Sequence, residues 1–167
     1  MNPLTIKLKR QADRSAALTA IRADGSTTWQ RQTGPRGEFF PVHDLTHYAV
    51  ETVLGCPAGF FGLIADGWEI SDFAPPFPRG PIPAEAREIE AIVGFIDSAQ
   101  TAEEFREQCE RYVSGRRAVG RPADDIRALT SDELDRIHAL RAELLQRWGE
   151  TGAGETLELV FGASPAR

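Results

Sequence analysis

Lysine, cysteine and long apolar runs are scarce in this chain. Lys7 and Lys9 are its only lysines, so nearly all positive charge is arginine. Cys56 and Cys109 are its only thiols, and neither belongs to a Cys-x-x-Cys pair. That excludes a thiolate zinc ribbon and a disulfide framework, and it leaves two free, small, apolar residues in a reducing compartment. No stretch approaches 18 consecutive apolar residues, so no membrane span is expected. Met1 to Arg10 alternates and is charged, without the apolar core of a secretory leader, which gives a cytoplasmic location as the expectation. No glycine cluster has a phosphate-cradling spacing. The formal charge of −6 and pI of 5.1 make a nucleic-acid partner unexpected, because duplex binders need a basic face. The first forty residues depart from this balance with seven Lys/Arg against three Asp/Glu, and these read as solvent-facing strand and turn positions.

What remains is ordinary globular material. The chain has 167 residues, of which 41% are hydrophobic and 26% charged, a composition that suits a single domain, 1–167. Residues 1–40 read as strands. Leu4, Ile6 and Leu8 alternate with polar neighbours, Ala16 to Ala23 follows, Asp24-Gly25 signals a hairpin, and Ser26 to Gln32 closes an antiparallel meander. Residues 41–73 hold a central helix, 42–54, stopped by Gly55-Cys56-Pro57, and a short apolar run, Phe60 to Ala65. Residues 74–83 contain five prolines and predict an extended connector. Residues 84–149 predict three amphipathic helices: one after Pro83 with Ile89, Ile92, Val93 and Ile96; one opened by Thr101 and Glu104, with Phe105, Cys109 and Tyr112 on a stripe; one opened by Thr130 and Glu133. Residues 154–162 predict a last strand beside the meander. The fold class is therefore α+β, a sheet packed on a helical layer with helix 42–54 between them. Trp29, Trp68 and Trp148 are expected in the core, and His138 at a boundary.

One constellation carries chemistry. His43 and His47 are four apart, with Asp44 between and Glu51 four further on. At ~100° per residue, His43, His47, Glu51 and Asp44 fall at roughly 0°, 40°, 80° and 100°, a single polar stripe. The rest of this helix is apolar, which places it inside the molecule. Buried imidazoles and carboxylates are costly without partners, and either a metal ion or a hydrogen-bond network meets that need.

His-Asp-Leu-Thr-His resembles the HExxH zinc hydrolases, the zincins, with Asp44 in place of the glutamate. The resemblance implies His43 and His47 as zinc ligands and Asp44 as the general base. One zincin branch takes its third ligand from a glutamate about twenty residues on, which implies Glu69, 22 after His47, or Asp66, 19 after it; Glu51, close along the same helix, ranks between them as a candidate. Asp holds its carboxylate roughly 1 Å further back than Glu, a displacement that matters to a proton-transfer group. Phe-Pro-Val-His-Asp-Leu-Thr-His-Tyr also looks like a segment of small bacterial proteins of unassigned activity.

Two functional readings follow. In the first, the chain is a small cytoplasmic metal-binding protein, a zinc-dependent hydrolase acting on a small molecule or a peptide. In the second, it is a non-catalytic interaction or structural protein that holds no zinc and whose histidines serve the fold. Neither involves nucleic acid or membrane, and the pattern sets no oligomeric state.

Overall fold

The computed structural model describes residues 2–13, 15–34, 37–121 and 123–162. Three strands open the chain: β1 (Leu4–Arg10), β2 (Ala16–Arg22) and β3 (Thr27–Gln32). Leu4, Ile6 and Leu8 of β1 and Ala16, Leu18 and Ala20 of β2 turn inward, so period-two alternation decides which face is buried. The β2–β3 turn is closed by Arg22 N–H donating to the Ser26 carbonyl (2.9 Å), with Gly25 at φ 83°, a conformation that favours glycine. The last strand, β4 (Thr156–Phe161), pairs antiparallel with β1, Leu8 opposite Leu157 and Leu4 opposite Phe161. The antiparallel sheet has the order β3-β2-β1-β4.

The helices are α1 (Phe39–Leu54), α2 (Phe60–Ala65), α3 (Ala84–Ile96), α4 (Ala102–Ala118) and α5 (Ser131–Glu150), with a 3-10 turn over Ile70–Phe73. The architecture is α+β, as expected. Both threonine–glutamate capping boxes are formed: Thr101 accepts from Glu104 N–H and Thr130 from Glu133 N–H. The proline-rich 74–83 segment has no helix or strand.

Helix α1 starts three residues earlier than predicted. Pro41 falls in its first turn, where a missing N–H costs no helical hydrogen bond. His43 consequently stands in the second turn. Gly55 ends the helix at φ 63°.

Two apolar cores meet at α1. Leu45 and Ala49 pack with the inner sheet face, Phe61, Ile64, Leu144 and Trp148. Val50 packs with Ile89, Ile92, Val93, Phe105, Leu134 and Ile137. Helix α1 thus lies between the sheet and the other helices, and its polar stripe falls at the seam.

Some expectations of burial fail. Trp29 is 66% exposed, because β3 turns it to the outer face of the sheet. Trp68 and Cys56 are only half-buried, and Tyr112 lies at the surface, the α4 stripe running through Phe105, Cys109 and Val113 instead. Replacement of Leu45 by alanine is expected to lower unfolding free energy by about 2–5 kcal/mol, while Trp29→Ala should change it by about 0.5 kcal/mol or less. Urea denaturation of the two variants checks this.

Candidate metal centre

The buried polar groups of α1 are matched one by one. Thr46 donates to the Val42 carbonyl (2.8 Å) and accepts from Arg141 Nε (2.8 Å), whose guanidinium also meets Asp97 (2.6 Å). Asp44 accepts from Gln32 Nε2 of β3. Glu51 has no exposed surface. It accepts from the backbone N–H groups of Phe61 (3.3 Å) and Gly62 (3.0 Å) and from His47 Nδ1 (3.2 Å). The short helix α2 is thereby tied to the histidine through one carboxylate.

With Nδ1 engaged by Glu51, His47 presents Nε2 to the opposite side. There it lies 2.9 Å from Glu90 Oε2 of α3. His43 Nε2 lies 3.6 Å from the other oxygen of the same carboxylate. The two rings are 4.7 Å apart, edge to face, and Phe39 stacks on His43 at 5.4 Å. One donor atom from each of His43, His47 and Glu90 falls within 4.8 Å of the others, the one such group of three among the described residues. In a tetrahedral zinc site with bonds near 2.0–2.1 Å, neighbouring donors sit about 3.3 Å apart. The separations of 2.9 and 3.6 Å lie on either side of that figure and end on different oxygens of Glu90, so a shared ion would need the carboxylate to turn, His43 to move in and His47 Nε2 to move out by a few tenths of an ångström. Two imidazoles and a carboxylate form a donor set that suits zinc and other first-row divalent ions. Glu51 fits the role of the carboxylate that orients a ligating histidine through its second nitrogen.

The expected site is only partly assembled as predicted. His43 and His47 face one cleft, and Asp44 lines it with them. Glu51 is adjacent but faces Nδ1. Glu69 is elsewhere: it pairs with Arg22 (3.1 Å) and caps the 3-10 turn reciprocally with Asp72. The physical reason is Arg22, whose guanidinium is held beside Glu69 by the carbonyls of Ile64 and Trp68. Asp66 is exposed at the end of α2 and outside the three-residue group. Asp72 is buried and bridges Glu69 N–H (2.8 Å) and Arg79 (2.9 Å). Glu90 escaped the sequence reading. It lies 43 residues after His47, and its only local signal is its place at the border of the α3 apolar stripe, between Ile89 and Val93. His138 stands at a boundary, its Nε2 3.2 Å from the Ile96 carbonyl.

Charges within the cluster are displaced from their ordinary behaviour. Burial raises the Asp44 carboxyl to about 6 against the opposing hydrogen bond from Gln32. Burial disfavours an imidazolium at His47, but the hydrogen bonds to Glu51 and Glu90 outweigh it and push the group up to about 9. The imidazoles, His43 first and then His47, hold Glu90 well below the usual carboxylate range. Metal-free protein at neutral pH therefore carries His47 as a cation shared by two carboxylates. A metal on Nε2 would displace that proton, so metal affinity would rise with pH.

Comparison with protein-family models, with curated proteins and with solved structures finds no match.

A Cβ on Gly59 would lie 2.3 Å from Cδ of the fully buried Glu51. Gly59→Ala should therefore destabilise the protein by about 1–3 kcal/mol and perturb the His47 ring resonances by NMR, whereas Gly94→Ala, with open space at its Cβ, should leave those resonances unmoved. A folded-state value of about 9 for His47, above 6.5 for an ordinary imidazole, means the native state binds the extra proton between them. The stabilisation is complete below pH 6.5 and is lost as pH rises through 9. Chelator-treated protein should lose on the order of 1–3 kcal/mol over that interval, and His47→Gln should flatten this limb. Urea titrations at a series of pH values measure both.

Proposed function

We propose that this chain is a small metal-binding protein in which His43, His47 and Glu90 hold a single divalent ion, zinc first, and that the site supports metal-assisted hydrolysis in the cytoplasm. The convergence of His43 Nε2 and His47 Nε2 on the two oxygens of Glu90 carries this reading (3.6 and 2.9 Å). Glu90 takes the third-ligand role expected of Glu69. Three protein ligands leave a fourth position open, the arrangement of catalytic rather than structural zinc sites.

When bound, such an ion acts as a Lewis acid on a carbonyl-type oxygen and lowers the pKa of water. The protein residues supply the rest. Glu51 fixes the His47 ring, and Phe39 fixes His43. Asp44, in the same cleft with a carboxyl pushed up to about 6, is placed to hold or move a proton near neutral pH. Gln32 holds the Asp44 carboxyl in place from β3.

A second reading has its own support. Glu90 satisfies both imidazoles without any ion, so the cluster also works as a structural polar seam of a non-catalytic interaction protein. Metal analysis of untagged protein, with melting curves in EDTA and in added zinc, separates the two. Zinc at a hundred times its dissociation constant stabilises a fold by about 2.7 kcal/mol, a rise of roughly 5–10 °C for a chain of this size. Near-stoichiometric zinc and such a rise are expected for wild type, with loss of both in His47→Ala and a weaker effect in Glu90→Gln. Melting indifferent to EDTA and zinc would leave the structural reading.

A further inference from the structure

The cleft that holds the histidines extends well past them. It has a volume of about 980 Å³, at the upper end for small-molecule sites. Phe60 and Phe73 line it on the α2 side, with ring centroids 4.8 Å apart and Phe60 5.5 Å from His47. Phe95, Tyr112 and Ile126 line its other part, the Phe95 and Tyr112 rings packing at 5.4 Å. Between these lies α3, whose lining residues Glu90, Ala91 and Gly94 share one side of the helix. Ala91 and Gly94 are small, and apart from its chain neighbours and the backbone of its own helix nothing lies within 4 Å of where a Gly94 side chain would begin. The floor is therefore open over α3, from Glu90 towards the Phe95 and Tyr112 rings.

Charged residues on this lining are matched within the protein. Arg87 pairs with Asp124 (2.7 Å), Glu88 accepts from the Arg127 N–H (2.7 Å), and the Arg116 guanidinium lies over Tyr112 at 5.7 Å. With these side chains engaged and aromatic rings on both sides, the walls favour an apolar group.

We propose that the cleft takes a small amphipathic molecule whose oxygen-rich polar head, of the acyl ester or amide class, sits at His43, His47 and Glu90 and whose neutral acyl or aryl arm lies over Ala91 and Gly94 towards Phe95 and Tyr112. This rests on the metal-centre reading for the head but not for the arm. Hydrolysis of such a head adds one water across the acyl C–O or C–N bond: the acyl carbon gains the hydroxyl oxygen, the alcohol or amine leaves with the proton, and no redox partner is needed.

The arm is tested by chain length. Acetohydroxamate and octanohydroxamate share a metal-binding head and differ by six methylenes. Each buried methylene is worth about fourfold in affinity. With half of them buried, zinc-loaded wild type should bind the octanoyl compound on the order of 50-fold more tightly by calorimetry. Gly94→Leu, filling the floor, should remove most of that ratio while leaving acetohydroxamate affinity within about twofold. The neutral dye Nile red provides a metal-free arm: chelator-treated wild type should bind it, and Gly94→Leu should weaken that binding at least fivefold. Equal affinity for the two hydroxamates, or a length ratio and dye binding unchanged by Gly94→Leu, would overturn the proposed arm while leaving the metal site standing. Absence of zinc and hydroxamate binding, with dye binding still sensitive to Gly94→Leu, would overturn the head assignment and the metal reading together and leave the apolar arm supported. Loss of every signal would overturn the whole proposal, with circular dichroism confirming that Gly94→Leu is folded.

Discussion

Glu51 brings a carboxylate into the middle of the molecule and shares it between His47 and the first turn of α2. A carboxyl group without solvent is tolerated only when its acceptor capacity is filled. Here the filling dictates local structure. Helix α2 must begin close to α1, Gly59 must lack a side chain, and the His47 ring must turn Nδ1 inward. The exposed consequence is Nε2, aimed at α3. Glu51 thus decides which nitrogen of His47 faces α3.

The seam between the two cores is what makes this arrangement affordable. Sheet-facing Leu45 and Ala49 and helix-facing Val50 hold α1 from both sides, while His47 and Asp44 occupy one strip between them and Thr46 the other. Each neighbouring element contributes one polar partner: β3 gives Gln32, α3 gives Glu90, α5 gives Arg141. Rigid elements on both sides keep the imidazoles within a narrow range of positions, as a ligand set requires. Glu90, with its side chain 62% exposed, is the least enclosed of the three, against 22% for His43 and 4% for His47.

Much of the fold was legible because it is written in short-range patterns. Alternation in β1, the Asp24-Gly25 turn, two capping boxes and the Gly55 stop are local rules, and the structure follows them. Where it departs, a longer-range constraint is responsible. The α1 start moved because a proline is harmless in a first turn, and Trp29 faces out because sheet pairing fixed the phase of β3. The candidate site was legible to the same extent. His43, Asp44 and His47 declare themselves through helical periodicity. Glu69 lay at the spacing the zincin resemblance implies, yet Arg22, with no sequence mark of its role, draws it away. Glu90 sits across a proline-rich connector whose path no local pattern encodes, so its meeting with His47 is a property of tertiary packing.

One carboxylate from α3 and two imidazoles from α1 are proposed as ligands of the same ion. X-ray absorption at the zinc K edge, on stoichiometrically loaded protein, reads that ligand set. Two imidazole nitrogens and carboxylate or water oxygens are expected at about 2.0–2.1 Å with no sulfur neighbour, with loss of one imidazole's outer-shell scattering in His43→Ala. A spectrum containing sulfur at about 2.3 Å, or one unchanged by His43→Ala, His47→Ala and Glu90→Gln, would contradict it.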